Sequence, residues 1–265
     1  MILEDGRPIK RGRLSEILFF LWSAFSSAAI IALFCALWQI ASIALGDLVL
    51  PEPLSVFREA IEIVKNYSVH DVHITIFRSI IGITASIFIG MTLGLIAGSY
   101  KTIAIMFKPV ISILLGMPPI IWVVLALFWF GLGSTSTIFT TIVTVIPLTF
   151  ASAMRGMMTL DNNLKEMFQV YKIPCYRTIK NLYIPHLLNF VLPAITVAVG
   201  MGIKITIMAE LLGANQGIGA QIASARAMLE TQTVLAFVIL ILAMIFIIEY
   251  LIVEPLRILL MPWEK

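Results

Sequence analysis

Long apolar runs alternate with short polar segments along this chain, and one polar segment is much longer than the rest. Nearly uncharged runs cover residues 17–45, 74–99, 109–130, 137–153, 190–212 and 233–253. A helix of about 20 apolar residues crosses roughly 30 Å of hydrocarbon, so six helical spans are predicted. Gly46 and Asp47 end the first, and Pro51 and Pro53 punctuate its exit. Apolar Leu54, Val56, Phe57, Ile61 and Val64 then recur at near-helical spacing, which predicts a short amphipathic helix over Leu54–Tyr67 on the membrane surface. Lys101 and Lys108 bracket a predicted short loop before the third span. Gly131-Leu132-Gly133-Ser134 reads as a tight turn, and Gly213–Thr231 as a loop turning at Gly217 and Gly219.

Two spans carry further signals. The second holds Gly90, Gly94 and Gly98 four apart, with Gly82 eight residues earlier. Small residues at that spacing make a flat stripe that another helix approaches closely; packing within one subunit is the expected use, ahead of a contact between subunits. The third span is broken by Gly116-Met117-Pro118-Pro119. Proline removes a backbone donor and kinks a helix, and inside a membrane such a break is tolerated only where protein or a wet cavity satisfies the freed groups. Met117 and Pro118 are therefore candidates for a solute pathway, and a packed kink is the equal alternative.

Composition narrows the class. Of 265 residues, 60% are hydrophobic and 12% charged, and the mean hydropathy is +1.02. Ordinary soluble domains carry about 25% charged residues, so a soluble globular protein is excluded, and the strand alternation of an outer-membrane barrel is absent. The two cysteines, Cys35 in an apolar run and Cys175 in the polar stretch, are not expected to pair. His70, His73 and His186 are scattered and form no metal-ligand pattern. Lys10, Arg11 and Arg13 precede the first apolar run as in a signal peptide, but that run is too long for a cleaved hydrophobic region and is read as a retained span. With the N-terminus inside, thirteen Lys and Arg fall on inner segments, and Arg58, Lys65 and Arg226 alone on outer ones. That bias sets both termini in the cytoplasm.

The same orientation makes 155–189 the largest cytoplasmic segment. Asp161 or Asn162 can cap a helix there. Leu164, Phe168 and Tyr171 follow at i, i+4 and i+7 and form one apolar face, Pro174 ends the segment, and a second short helix is predicted over Cys175–Tyr183. A pair of amphipathic helices of this kind either inserts into a groove on another protein or lies on lipid, and the residues alone do not choose.

The stretch resembles the cytoplasmic signature of permease subunits of bacterial ATP-driven importers: Glu-Ala-Ala, three residues, Gly, nine residues, then Ile-x-Leu-Pro. Glu166, Leu182, Ile184 and Pro185 fall at the matching places, while Met167 and Phe168 replace the alanines and Lys172 the glycine. A left-handed turn costs lysine about 1 kcal/mol or more, so a differently turned loop is expected. Leu50-Pro51-Glu52-Pro53, Arg78 with Gly82, the glycine ladder, Met117-Pro118-Pro119, Trp129-Phe130-Gly131-Leu132-Gly133, Ala209-Glu210-Leu211-Leu212-Gly213-Ala214 and Gly217-Ile218-Gly219 resemble the nitrate/sulfonate/taurine branch of that family in order and spacing. The likeness covers about residues 48–255.

The resemblance implies an all-α, polytopic membrane protein of the type I ABC importer permease fold, in the bacterial or archaeal cell membrane. It implies a single permease domain over 17–255 with cytoplasmic tails at 1–16 and 256–265. Its partners would be a second, identical permease copy, two cytoplasmic ABC ATPase subunits, an extracytoplasmic substrate-binding protein and the lipid bilayer; no nucleic acid is expected. Leu164, Glu166, Met167, Phe168, Tyr171, Lys172 and Pro174 would dock on the ATPase. The chain has no GxxxxGK[ST] phosphate loop, so no enzymatic activity and no bound cofactor are expected of it; ATP and Mg would sit on the partner subunit. Closure of the ATPases would switch the pathway from inward to outward access. The cargo implied is a small anion such as a sulfonate, taurine or nitrate, with a vitamin precursor as the alternative within the family.

Four ionisable residues fall within or near the hydrocarbon: Arg78, Lys204, Glu210 and Glu249. On insertion scales each costs about 2.5–3.5 kcal/mol at the bilayer centre. For Arg78 and Glu210 structural pairing or snorkelling is favoured over a pathway role, and Glu249 is expected to snorkel at the inner end. Lys204 lies near the middle of the fifth span, where the resemblance gives no reason for a lysine. A positive group lining a pathway attracts a small anion; a carboxylate on another helix is the competing partner. Glu210, six residues on, points to a different helical face. An ion-coupled secondary carrier remains the alternative class; it should show internal repeats with matching broken helices, which the chain lacks.

Overall fold

The computed structural model describes residues 13–66, 71–253 and 255. Expectations that touch the remaining residues (most of both cytoplasmic tails, Tyr67, His70 and Glu254) lie outside the described residues.

The spans appear as helices. They are α1 (Arg13–Leu45), α2 (Pro53–Lys65), α3 (Val72–Ser99), α4 (Lys101–Gly116), α5 (Pro119–Phe130), α6 (Ser134–Met158), α7 (Asn162–Val170), α8 (Cys175–Thr178), α9 (Ile184–Gly213), α10 (Ile218–Ala227) and α11 (Thr231–Ile248). Among the described residues, α3, α6, α9 with its N-terminal extension, and α11 are each long and apolar enough to span, and the bent pair α4–α5 makes a fifth. Helix α1 is 33 residues long, with Ala29–Leu45 a shorter apolar helix among the residues described.

The glycine stripe decides the centre. Added Cβ atoms would meet Thr141 at Gly82, Thr149 at Gly90, the Phe150 carbonyl at Gly94 and Met157 at Gly98, all on α6. The stripe is thus spent on packing within one chain, as expected, and α3 lies against α6 over most of its length. Helix α9 packs on the other side, where Gly202 faces Ile83 and the Thr141 and Thr206 hydroxyls meet at 2.9 Å. The threonines of α6 bond back to carbonyls one turn earlier, as Thr140 does to Ser136 (2.8 Å), so the buried hydroxyls do not compete with the helix.

Two loop expectations are corrected. The predicted loop at Lys101–Lys108 is the first half of α4. Ala104 and Ile111, on one face of α4, pack with Phe150, Ala151 and Met154 of α6, and that apolar face keeps the segment helical. The predicted break of the third span is present: at Met117-Pro118 the chain bends by 91° into α5, where Pro118 and Pro119 together remove two successive donors. The predicted loop Gly213–Thr231 contains α10, whose Ile218 is buried with Val56, Ala60 and Ile63 of α2 and with Ala236 and Phe237 of α11. The predicted short amphipathic helix is α2: Val56, Ala60 and Ile63 face protein, while Leu54, Phe57, Ile61 and Val64 form a second, exposed apolar stripe.

Candidate functional site

Two places in the fold concentrate candidate residues. One is the inner tip between α6 and α9. Asp161 caps α7 by accepting from the Asn163 amide (2.8 Å), as its position predicted. At the other end the Ile173 amide donates to the Phe168 carbonyl (3.0 Å) and the Lys172 amide to that of Gln169 (2.9 Å). This pair of bonds is a Schellman closure, which needs a left-handed residue just past the helix. Lys172 supplies it with φ +48°. The expectation of a differently turned loop is therefore corrected: the lysine makes the turn open to glycine, because the two closing bonds and Pro174 leave no other path.

The second short helix is also corrected. Residues 175–183 do not stand apart; α8 runs through a π turn, Ile179–Tyr183, directly into α9. The Ile184 amide reaches back five residues to the Ile179 carbonyl. Pro185 has no N–H and its ring would crowd the carbonyl four residues earlier, and the wider turn accommodates it. Cys175–Gly213 is thus one helical rod of 39 residues. Its base is tied to α6 by His186, whose Nε2 bonds the Gly156 carbonyl (3.0 Å) while its ring packs on Phe190.

All seven residues predicted for docking gather on this tip. None of α7 is buried. Leu164 and Met167 are each 42% exposed and Tyr171 73%; Glu166, Lys172 and Pro174 are exposed and Phe168 half-buried. Lys165, Phe168, Gln169, Lys172, Ile173, Thr178 and Tyr183 line a groove of about 290 Å³ between α7 and the rod. The His186 tie and the π turn had no sequence signal beyond Pro185 itself.

The second place is the outer half of α9. Glu210 is fully buried, and its Oε1 accepts from Arg78 Nη1 of α3 (2.8 Å). Its Oε2 accepts from Thr75 Oγ1 (2.7 Å) and from the Gly219 amide (3.2 Å). Arg78 also donates to the Gln216 carbonyl (2.7 Å) and to Ser134 Oγ (3.0 Å), and Thr75 accepts from the Ile218 amide (2.8 Å). Gly217, at φ +108°, presses its Cα on the carboxylate, where a side chain would collide. One ion pair thus joins α3, α6, α9 and the start of α10. Arg78 and Glu210 were legible as costly charges; their partners Thr75, Ser134 and Gln216 were not, because nothing local marks them.

Lys204 sits on a different face of α9, exposed and without a partner among the described residues. Met117 and Pro118 stand at the α4–α5 corner, half-buried and exposed respectively; the structure does not join them to Lys204. Glu249 is exposed, past the inner end of α11.

An all-helical membrane domain with a rigid, exposed inner loop defines the class, and sequence comparison names the family. Residues 90–253 match the family described as "Binding-protein-dependent transport system inner membrane component", and the chain belongs to it. Relatives include the taurine transport system permease protein TauC of Escherichia coli, 24% identical over 80% of each chain. The putative aliphatic sulfonates transport permease protein SsuC of Bacillus subtilis is 25% identical over 79% of this chain and 77% of its own. The nitrate import permease protein NrtB of Synechococcus elongatus is 28% identical over 71% of each. A chain of the inward-facing MetNI methionine ABC transporter shares the fold, with a TM-score of 0.59 and 14% identity over 70% of this chain and 92% of that one. The chain is thus an ABC importer permease of the nitrate/sulfonate/taurine branch, an integral membrane protein and a transport component rather than an enzyme.

Proposed function

We propose that two copies of this chain form the translocation pathway of an importer for a small anion of the sulfonate, taurine or nitrate kind. An extracytoplasmic binding protein delivers the anion, and each α7 docks on a cytoplasmic ATPase that holds ATP and Mg. The observation that carries the reading is the inner tip. A nine-residue helix with its C-cap leaves Leu164, Met167 and Tyr171 exposed, and an exposed apolar patch of this kind marks a protein contact. The loop leads through Pro174 straight into the 39-residue rod, about 58 Å long at 1.5 Å per residue. Movement of α7 by an ATPase is passed into α9 through this continuous helical connection. The cargo class rests on the relatives, whose names specify taurine, sulfonates and nitrate.

The test is purification of the tagged chain, co-expressed with its natural neighbours, in mild detergent. A stoichiometric ATPase is expected with the wild type and lost with Phe168→Asp or Glu166→Arg, both of which should melt like the wild type because their side chains leave the core untouched. A stable oligomer that brings down no ATPase overturns the reading in favour of an ion-coupled carrier.

A further inference from the structure

One face of α9 is left bare by its own chain. Val197, Met201 and Lys204 are exposed along it, and an added Cβ at Gly200 meets nothing within 4 Å. The other face, with Ala198, Gly202, Ile205 and Ala209, is buried against α3 and α6. Lys204 stands nine residues from Gly213, the outer end of α9, which is about 14 Å of helix and close to the middle of a bilayer roughly 30 Å thick. Its stem is too short to carry the ammonium to either surface, so hydrocarbon is closed to this face.

Among the described residues no carboxylate pairs with Lys204. Glu210 is the one acidic residue in α3, α4, α5, α6, α9 and α11, and Arg78, Thr75 and the Gly219 amide occupy its carboxylate. A second copy brings the same inventory: another buried Glu210 and another bare lysine. The described chain leaves this face open, and the same helices of an identical partner add no free carboxylate to it.

We infer that Lys204 and its counterpart in a second copy line a water-filled cavity at the membrane centre and form the anion-selecting station of the pathway. The assignment rests on the importer reading above. The ammonium is a compact, strongly hydrated charge on a flexible stem. It selects by sign, and it binds loosely enough to release what it attracts, as a conducting site must. Gly200, a turn away, leaves room for the passing solute.

Two measurements on the assembled transporter test this. In chains whose Cys35 and Cys175 are serines, Lys204→Cys in membrane vesicles is exposed to a charged, membrane-impermeant methanethiosulfonate, with Leu242→Cys on the apolar exposed face of α11 as the lipid-facing control. The thiol at 204 is expected to react at least about tenfold faster, since only a wet cavity admits the reagent. Equal rates overturn the assignment. In proteoliposomes supplied with binding protein and ATP, Lys204→Met is expected to lower uptake of whichever probe the wild type carries, taurine or nitrate, by about tenfold or more, with Lys204→Arg retaining most of it. Wild-type uptake by Lys204→Met, in a complex that retains its ATPase, sinks the station while the importer reading stands. Failure of the wild-type chain to bring down an ATPase or carry either probe sinks both.

Discussion

Glu210 and Lys204 lie six residues apart on one helix, at similar cost to a bilayer, and the fold treats them oppositely. Glu210 is wrapped by a cation, a hydroxyl and an amide, with Gly217 pressed against it. Lys204 faces outward, alone among the described residues. A charge whose hydrogen bonds are all made serves the fold, because removing its partner is what costs free energy. A charge without a protein partner in a membrane chain is free for the role inferred above. The difference also divides α9 itself: one face belongs to the α3–α6 core, the other to whatever completes the site.

The sharpest break of the comparison is at the ion pair. Glu210→Leu leaves Arg78 buried and unpaired, a loss of about 3–5 kcal/mol, and should abolish most of the folded chain in a heat-and-gel-filtration assay in detergent. Arg78→Met with Glu210→Leu should recover much of it, whereas Lys204→Met should melt as the wild type. If Glu210→Leu and Lys204→Met melt together, the two charges are not different in kind. A smaller effect sharpens the contrast between faces. Gly94→Leu drives a side chain into the Phe150 backbone and should cost about 1–3 kcal/mol or more, read by the same melt. Gly200→Leu meets no atom; it should melt normally and slow uptake. The smallest effect lies at the inner tip. Lys172→Gly removes a left-handed strain of about 1 kcal/mol, and hydrogen exchange at the Ile173 amide, which closes the turn, should slow correspondingly.

Much of this was readable from local pattern. The glycine ladder announced a helix seam because small residues four apart have few other uses, and Asp161 announced the start of α7 because a carboxylate one residue before a helix has an orphan amide to satisfy. The loop expectations failed where proline and glycine were taken as breaks. Gly217 and Gly219 bent the chain around a carboxylate and into α10, and the helix predicted to stop at Tyr183 runs on past Pro185 through a wider turn. In each case a distant contact outweighed the local preference, as Ile218 in its cluster with α2 and α11 illustrates.

Sequence by itself determined the apolar helices, the family motifs and the four costly charges, because apolar length and residue spacing are set by near neighbours along the chain. Only the tertiary structure decided that Arg78 answers Glu210 across 132 positions, that Lys172 keeps the left-handed turn, and that the loop and α9 are one rod. Those outcomes depend on which helices meet and at what depth, which no local pattern encodes. Lys204 draws on both: its charge was visible in the chain, and its isolation became visible only when the surrounding helices had taken their places.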